Sequence, residues 1–151
     1  MKEADAHVDY ESHQLLLYVE RPDGTYGGLQ TGAYAAKNYL DIFLESRANV
    51  IASGIEKLKK GEMSAIAFYM ELNRMTVADL AARTGFSRAK VRKQLGPAGF
   101  ATVTINDLRR YAEVFDITIA DFFQVTIPRK NGVSVRRQKT ANPLFTVIEI
   151  I

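Results

Sequence analysis

Cysteine and tryptophan are absent from this 151-residue sequence, and histidine occurs only at His7 and His13. Without cysteine the chain has neither a disulfide framework nor a thiolate metal site. The two histidines lie near the N-terminus, away from any spacing typical of metal ligands. We therefore expect no metal and no other cofactor.

Long apolar runs are also missing, since no stretch approaches the roughly 20 residues that span a bilayer. The first residues, MKEADAHVDYESH, are acidic and lack the apolar core of a secretion signal. We expect a cytoplasmic protein. Hydrophobic residues make up 47% of the chain and charged residues 25%, which is typical of one or two small globular domains.

Negative charge is scarce in the middle of the chain. Residues 57–100 carry nine Lys and Arg against three Asp and Glu, whereas residues 1–56 carry four against nine and residues 101–151 seven against five. A basic region attracts the phosphate backbone of nucleic acid, and an acidic region is repelled by it. The middle segment is therefore the candidate nucleic-acid interface, and the N-terminal part has a different partner.

The segment MTVADLAARTGFSRAKVRKQL, residues 75–95, predicts two short helices joined by a sharp turn. Thr76, followed three residues later by Asp79, is a good helix start. Gly85 can adopt the left-handed conformation that ends the first helix, and Ser87 can cap the second. The inner face of the pair consists of apolar residues, namely Val77, Leu80, Ala81, Phe86, Val91 and Leu95.

The second helix of this segment should turn its remaining residues toward water: Arg88, Ala89, Lys90, Arg92 and Lys93. A cationic run on an isolated helix is usually only solvated surface. Here the preceding helix, the glycine and the buried apolar positions form the scaffold that seats a helix in the major groove of DNA. We interpret the segment as a DNA-binding helix-turn-helix.

Residues 63–123 resemble the Cro and phage-repressor type of helix-turn-helix domain, the Xre family, which is a five-helix bundle. The 75–95 segment corresponds to the second and third helices. The piece TINDLRRYAEVFDITIADFF, residues 104–123, is similar to the last two. Thr84 and Gln94 stand where the family usually has apolar residues, and the link after the third helix, residues 96–103, is longer than usual.

This resemblance implies a sequence-specific transcriptional regulator, a repressor in particular, that binds double-stranded DNA as a homodimer. Helix 87–95 would read base edges in the major groove, with arginine and lysine on guanine and Ala89 on a thymine methyl group. Phosphates would be bound at the amide ends of the second and fourth helices. The residues concerned are Ser87, Arg88, Ala89, Lys90, Arg92 and Lys93 for the recognition helix, and Thr76, Val77, Thr104, Ile105 and Arg109 or Arg110 for the phosphates.

The N-terminal part divides into a flexible tail, residues 1–12, and a region comprising residues 13–61. In that region HQLLLYVE and TYGGLQ, separated by RPDG, predict a β-hairpin. A helix should follow from Thr31 or Gly32 to Lys60, with Gly54 as a possible break. Its stripe of Leu40, Phe43, Leu44, Ala48, Ile51, Ile55 and Leu58 either covers the hairpin and the bundle or forms a dimer interface.

After the bundle, taken as residues 62–125, the chain should end in β structure over residues 126–151. The pair Asn131-Gly132 predicts a hairpin, and LFTVIEII predicts a final strand that pairs with strand 14–20 of its own chain or of a partner subunit. Arg129, Lys130, Arg136, Arg137 and Lys139 form either a DNA-contacting arm or an exposed basic hairpin. The fold class is α+β.

Parts of the sequence also suggest two other functional classes, an enzyme and a protein-interaction module. Ser87 and Lys90 match the Ser-x-x-Lys pattern of acyl enzymes, but the companion motifs are absent and Ser87 already has a role as a helix cap. We expect no enzyme. The alternative to a regulator is a protein-interaction module, such as an antitoxin-like adaptor, in which the acidic N-terminal region binds a protein partner.

Overall fold

The structure is a computed structural model that describes residues 1–11, 13–128 and 134–151. It consists of helices and two small β-sheets, so the α+β class is confirmed. The chain divides into two compact units, Met1–Ala48 and Asn49–Ile151, here called unit 1 and unit 2. The boundary differs from the expected one after residue 61. In the described part of the chain no helix is long and apolar enough to cross a membrane.

Unit 1 contains the predicted hairpin. Strand β1, Gln14–Glu20, pairs antiparallel with β2, Tyr26–Gly32, in a register that places Leu17 opposite Leu29. The turn closes with a hydrogen bond of 2.8 Å from the Arg21 amide to the Thr25 carbonyl. Gly24 adopts φ +80°, which a residue without a Cβ tolerates easily.

Residues 1–11 pack on this hairpin, where the sequence predicts a flexible tail over residues 1–12. They include a short helix, α1 (Glu3–Ala6), and Ala6 is buried. The Val8 amide donates to the Thr31 hydroxyl at 2.6 Å, and that hydroxyl donates to the Ala6 carbonyl at 3.0 Å. Sequence periodicity does not reveal these contacts, because both depend on the side chain of a single residue, Thr31, near the end of β2.

Helix α2, Tyr34–Lys60, is continuous over 27 residues and runs from unit 1 into unit 2. Gly54 does not break it. A Cβ at this position would collide with the ring of Phe68, so the glycine allows an aromatic side chain to approach the helix backbone. Ile55 and Leu58 are buried, as the stripe predicts for a helix that covers the bundle.

Residues 65–122 of unit 2 form five α-helices and one 3₁₀ helix, where the resemblance implies a bundle of five helices. The helices are α3 (Ala65–Leu72), α4 (Val77–Thr84), α5 (Arg88–Leu95), α6 (Pro97–Phe100), α7 (Ile105–Phe115) and a final 3₁₀ helix (Ile119–Phe122). The added helix α6 accounts for the long link, and Pro97 suits its first turn because the missing amide hydrogen is not needed there.

The C-terminal strands form a three-stranded sheet in the order β3-β5-β4, with β3 at Gln124–Pro128, β4 at Val135–Lys139 and β5 at Thr146–Ile150. Strand β5 is parallel to β3 and antiparallel to β4. The predicted direct pairing across Asn131-Gly132 is therefore wrong, and that dipeptide, with Arg129 and Lys130, lies outside the described residues. The predicted pairing of the last strand with strand 14–20 is also wrong, since both edges of β5 are occupied.

This sheet belongs to the same hydrophobic core as the bundle. Phe145 and Val147 are buried with Leu58 and Phe122. Asn142 binds the end of α2, its amide donating to the Lys59 carbonyl at 3.0 Å and its side chain to the Leu58 carbonyl at 2.9 Å. The folded unit around the helix-turn-helix thus includes chain on both sides of residues 62–125.

Candidate nucleic-acid interface

The helix-turn-helix, α4 and α5, is built by local signals that the sequence displays. The Thr76 hydroxyl accepts the Asp79 amide at 3.2 Å, and the Asp79 carboxylate accepts the Thr76 amide at 2.9 Å. The Thr76 hydroxyl, which donates to the Asp79 carboxylate, and the Thr76 amide together lower the pKa of Asp79. Gly85 ends α4 at φ +72°, and Ser87 caps α5 by accepting the Lys90 amide at 3.2 Å. The predicted boundaries of the motif are confirmed.

The inner face of α5 is fixed in the core. Val91 is fully buried, and the ring of Phe86 packs edge-on against Tyr111 at 5.4 Å between centroids. The polar residue at Thr84 is accommodated because its hydroxyl donates to the Leu80 carbonyl one turn back, at 2.6 Å. Gln94 is also buried, and its partners are described below.

The outer face of α5 presents exposed positive charge. Arg88, Ala89, Arg92 and Lys93 are all exposed, as predicted. Helix α5 contains no acidic residue, so these cations are not neutralised by neighbours on their own helix. This combination of a buried inner face and a cationic outer face suits a helix that lies in a groove of DNA.

Lys90 differs from the other cations, because it faces water only in part. The side chain is half-buried, with its ammonium 2.9 Å from the Asp107 carboxylate and 4.0 Å from the centroid of the Phe86 ring. A cation is attracted to the face of an aromatic ring as well as to a carboxylate. Helical periodicity alone could not predict this, because Asp107 lies on α7, 17 residues further along the chain.

Gln94, Asp107 and Tyr111 extend this ion pair into a network. The Gln94 side-chain amide donates to Asp107 at 2.9 Å, and the Tyr111 hydroxyl donates to the Gln94 side-chain oxygen at 2.8 Å. Burial raises the pKa of Asp107, but the hydrogen bonds from Lys90 and Gln94 outweigh it, so that pKa lies below its ordinary value. Burial and, to a smaller extent, the nearby Asp107 charge raise the pKa of Tyr111 to about 12.

The expected phosphate contacts lie at the starts of α4 and α7. Both Thr76 donors are directed at Asp79, the hydroxyl at 2.6 Å, which leaves Val77 as the better candidate there. At α7 the Thr104 hydroxyl accepts the Asp107 amide at 3.2 Å, and Ile105 is exposed.

The two arginines of α7 have different surroundings. Arg109 is exposed and paired with Glu113 at 3.1 Å, also on the surface. Arg110 reaches back to the motif, with its guanidinium 3.4 Å from the Thr84 carbonyl oxygen and 5.3 Å from the centroid of the Phe86 ring. Arg109 is therefore the better candidate for a phosphate contact.

The two residues of the Ser-x-x-Lys pattern have other partners in this structure. The Lys90 ammonium points to Asp107, and the Ser87 hydroxyl oxygen caps α5. Among the described residues, no group of three or more His, Asp or Glu side chains is placed to bind a metal ion.

Comparison with known proteins identifies one part of the chain. Residues 65–126 match the family model of the Cro/C1-type HTH DNA-binding domain. The match begins with α3 and ends in β3, and the resemblance noted for residues 63–123 is thereby confirmed. No curated protein and no solved structure matches the chain.

Proposed function

We propose that this protein, whose residues 65–126 are a Cro/C1-type helix-turn-helix domain, is a sequence-specific transcriptional regulator that binds double-stranded DNA as a homodimer. The observation that carries the proposal is the outer face of α5. Arg88, Arg92 and Lys93 are exposed there, while Val91 and Gln94 hold the opposite face in the core. Repression is the expected mode, because a bound dimer blocks access to the DNA beneath it.

The proposed DNA contacts divide into base-reading and phosphate-binding groups. Arginine can donate two hydrogen bonds to guanine O6 and N7, and the small Ala89 can contact a thymine methyl group. We assign Arg88 and Arg92 to base edges because they are exposed and unhindered by an acidic neighbour on α5. Val77, Ile105 and Arg109 then bind phosphates on either side of the groove.

The test begins with selection of a duplex from a randomised library by the intact chain. Arg88→Ala and Arg92→Ala should each weaken binding to the selected duplex by about 1–3 kcal/mol, with a much smaller loss on a random duplex of the same length. Arg21→Ala, an exposed arginine in the hairpin turn of unit 1, serves as the matched control. Equal losses on both duplexes would assign the two arginines to phosphates, and the absence of any preferred duplex would refute the proposed function.

The homodimer is proposed from the N-terminal half of α2. The apolar stripe of this helix is buried at Ile55 and Leu58 in unit 2, but Leu40 and Leu44 are 36% and 51% exposed. Tyr39 and Ile42 beside them are exposed too. A two-fold interface would bury this surface, and it would place two α5 helices on two half-sites of near-palindromic DNA.

Sedimentation of two double variants tests this interface. The test variant is Leu40→Glu/Leu44→Glu, and the control is Asn38→Glu/Ser46→Glu. Both add two negative charges at exposed positions of the same helix segment. Only the test variant should give a monomer. Its affinity for a duplex with two half-sites should fall by orders of magnitude, while affinity for one half-site stays unchanged. The slope of log affinity against log salt should roughly halve.

If the Leu40→Glu/Leu44→Glu variant still sediments as a dimer, the stripe is not the dimer element. The exposed apolar surface of unit 1 would then favour the protein-interaction module, in which this acidic unit binds a different protein.

A further inference from the structure

One face of α7 contacts both helices of the motif. Arg110 and Tyr111 lie three and four residues after Asp107, so the three side chains share one side of the helix. Asp107 and Tyr111 contact α5 through Lys90 and Gln94, and Arg110 contacts the last turn of α4. We call these three residues the α7 strip.

The α7 strip forms hydrogen bonds with α5 at two positions along that helix. Lys90 and Gln94 are one helical turn apart, and both point to the Asp107 carboxylate at 2.9 Å. Both polar atoms of the Gln94 side chain are hydrogen-bonded, since its nitrogen donates to Asp107 and its oxygen accepts from Tyr111 at 2.8 Å. Directional bonds at two points along a helix restrict its rotation about its own axis, which apolar packing at the same positions would leave looser.

The turn between the helices is held by the same strip. The Lys90 ammonium lies 4.0 Å and the Arg110 guanidinium 5.3 Å from the centroid of the Phe86 ring, and Tyr111 packs edge-on against it at 5.4 Å. Arg110 also places its guanidinium 3.4 Å from the Thr84 carbonyl oxygen, at the end of α4. The orientation of α5 relative to α4 thus depends on side chains of α7.

We propose that Asp107, Arg110 and Tyr111 are positioning residues that set the angle at which α5 enters the major groove, and that Lys90 acts through Asp107 rather than on DNA. This inference rests on the proposed function. Bidentate contacts from Arg88 and Arg92 need base edges at hydrogen-bond distance, so a small rotation of α5 misplaces them. Phosphate contacts tolerate such a rotation better, because they depend mainly on charge. Loss of the strip therefore reduces selectivity more than total affinity.

The first experiment makes one minimal change at a time to the strip in the full chain. Tyr111→Phe deletes the hydroxyl that binds Gln94, and Asp107→Asn removes the charge that binds Lys90. Each should weaken binding to the selected duplex about tenfold, comparable with one base contact, and change binding to the random duplex much less. The matched controls are Tyr69→Phe, which loses a hydroxyl bonded to the Asp121 carbonyl, and Asp121→Asn, which alters a carboxylate in the first turn of the 3₁₀ helix. Both controls should keep the selectivity of the parent.

The second experiment separates the two possible roles of Lys90. If it acts through Asp107, Lys90→Met and Asp107→Asn should each reduce selectivity, and the double variant should lose no more than either single variant. If Lys90 instead binds a phosphate, Lys90→Met should weaken both duplexes equally, lower the salt slope by about one unit and add to the effect of Asp107→Asn. The additive result would overturn the role given to Lys90.

Hydrogen exchange measured without DNA tests the positioning role independently of the proposed function. Asp107→Asn and Tyr111→Phe should speed exchange at the amides of α5 and leave those of α3 unchanged. If the intact chain prefers a duplex but both variants keep its selectivity and its α5 exchange, the positioning role fails while the proposed function stands. If the intact chain prefers no duplex, the proposed function fails, and with it the role of the strip in reading sequence. Exchange at α5 would then show only a structural role.

Discussion

Units 1 and 2 differ in how they bury apolar side chains. The large residues that are fully buried in unit 2 come from all parts of it: Ile66, Leu80, Val91, Tyr111, Phe122 and Val147. Among the described residues of unit 1 the corresponding residue is Val19, and much of the apolar surface of this unit is exposed, including Leu16 and Tyr18 at 77% each. Unit 2 thus has a core of its own, whereas a two-stranded hairpin such as that of unit 1 is only marginally stable by itself.

Helix α2 shows the same difference within one element. Its stripe has the same apolar spacing at both ends, yet Leu44 is half exposed and Leu58 is 3% exposed. Periodicity identifies an apolar face but not the surface that covers it. The C-terminal half of this helix therefore covers the bundle, and its N-terminal half is the proposed dimer contact.

The largest effect that would test this comparison is loss of folding on truncation. Residues 49–151 should fold without unit 1, because the core cluster lies within them. Residues 62–125, the domain expected from the sequence, should not fold, because they lack Leu58, Phe145 and Val147. Circular dichroism and thermal melting of the two fragments measure this. A cooperative transition in the shorter fragment would show that the C-terminal sheet is dispensable.

The next effect concerns the C-terminal sheet alone. Phe145→Ala should lower the free energy of unfolding of residues 49–151 by about 3–5 kcal/mol, since it removes a large side chain from the core. Leu144→Ala, at the neighbouring exposed position, should cost less than about 1 kcal/mol. Urea denaturation of both variants gives the two values. Similar losses would mean that residue 145 is not a core position.

A smaller loss is expected where α2 meets α3. Gly54→Ala should destabilise residues 49–151 by about 1–3 kcal/mol because the new Cβ collides with the Phe68 ring, although alanine is the better helix former. Ser53→Ala at an exposed position of the same helix should change stability by no more than about 0.5 kcal/mol. Stabilisation by Gly54→Ala would show that Phe68 can move away at little cost.

The smallest expected effect is a pH dependence of the unfolding free energy of unit 2. The pKa of Asp107 is lower in the folded state than its ordinary value of 3.8, so its contribution to stability is present above that value and is lost as the pH falls through the folded pKa. The difference in unfolding free energy between the parent and Asp107→Asn should therefore shrink below about pH 4. Urea titrations of residues 49–151 and of the full chain should give the same trend. A difference that stays constant would mean that Asp107 titrates normally.

The sequence predicted those elements whose signals are local. The caps at Thr76 and Ser87, the left-handed Gly85 and the turn before Gly24 each lie within a few residues of the structure they determine. The outward position of the α5 arginines follows from helical periodicity. These features were confirmed for that reason.

Features that depend on distant residues were missed. The Asn-Gly pair suggested a hairpin, but the order of strands follows from burial of Val147 in the bundle core, which places β5 between the other two. Helical periodicity places Lys90 on the surface, since periodicity within one helix takes no account of a partner on another helix. A polar residue at a position that is usually apolar, such as Gln94, was the available sign that a buried network exists.

The bond between Asn142 and the end of α2 joins residues that are 84 positions apart. During synthesis at about 5–20 residues per second, the helices of the motif leave the ribosome seconds before the strand that completes their core. The short-range contacts of α4 and α5 can form in that interval, whereas the apolar surface later covered by Phe145 and Val147 stays open. We expect this interval to be the stage at which the nascent chain is most prone to bind chaperones or to aggregate.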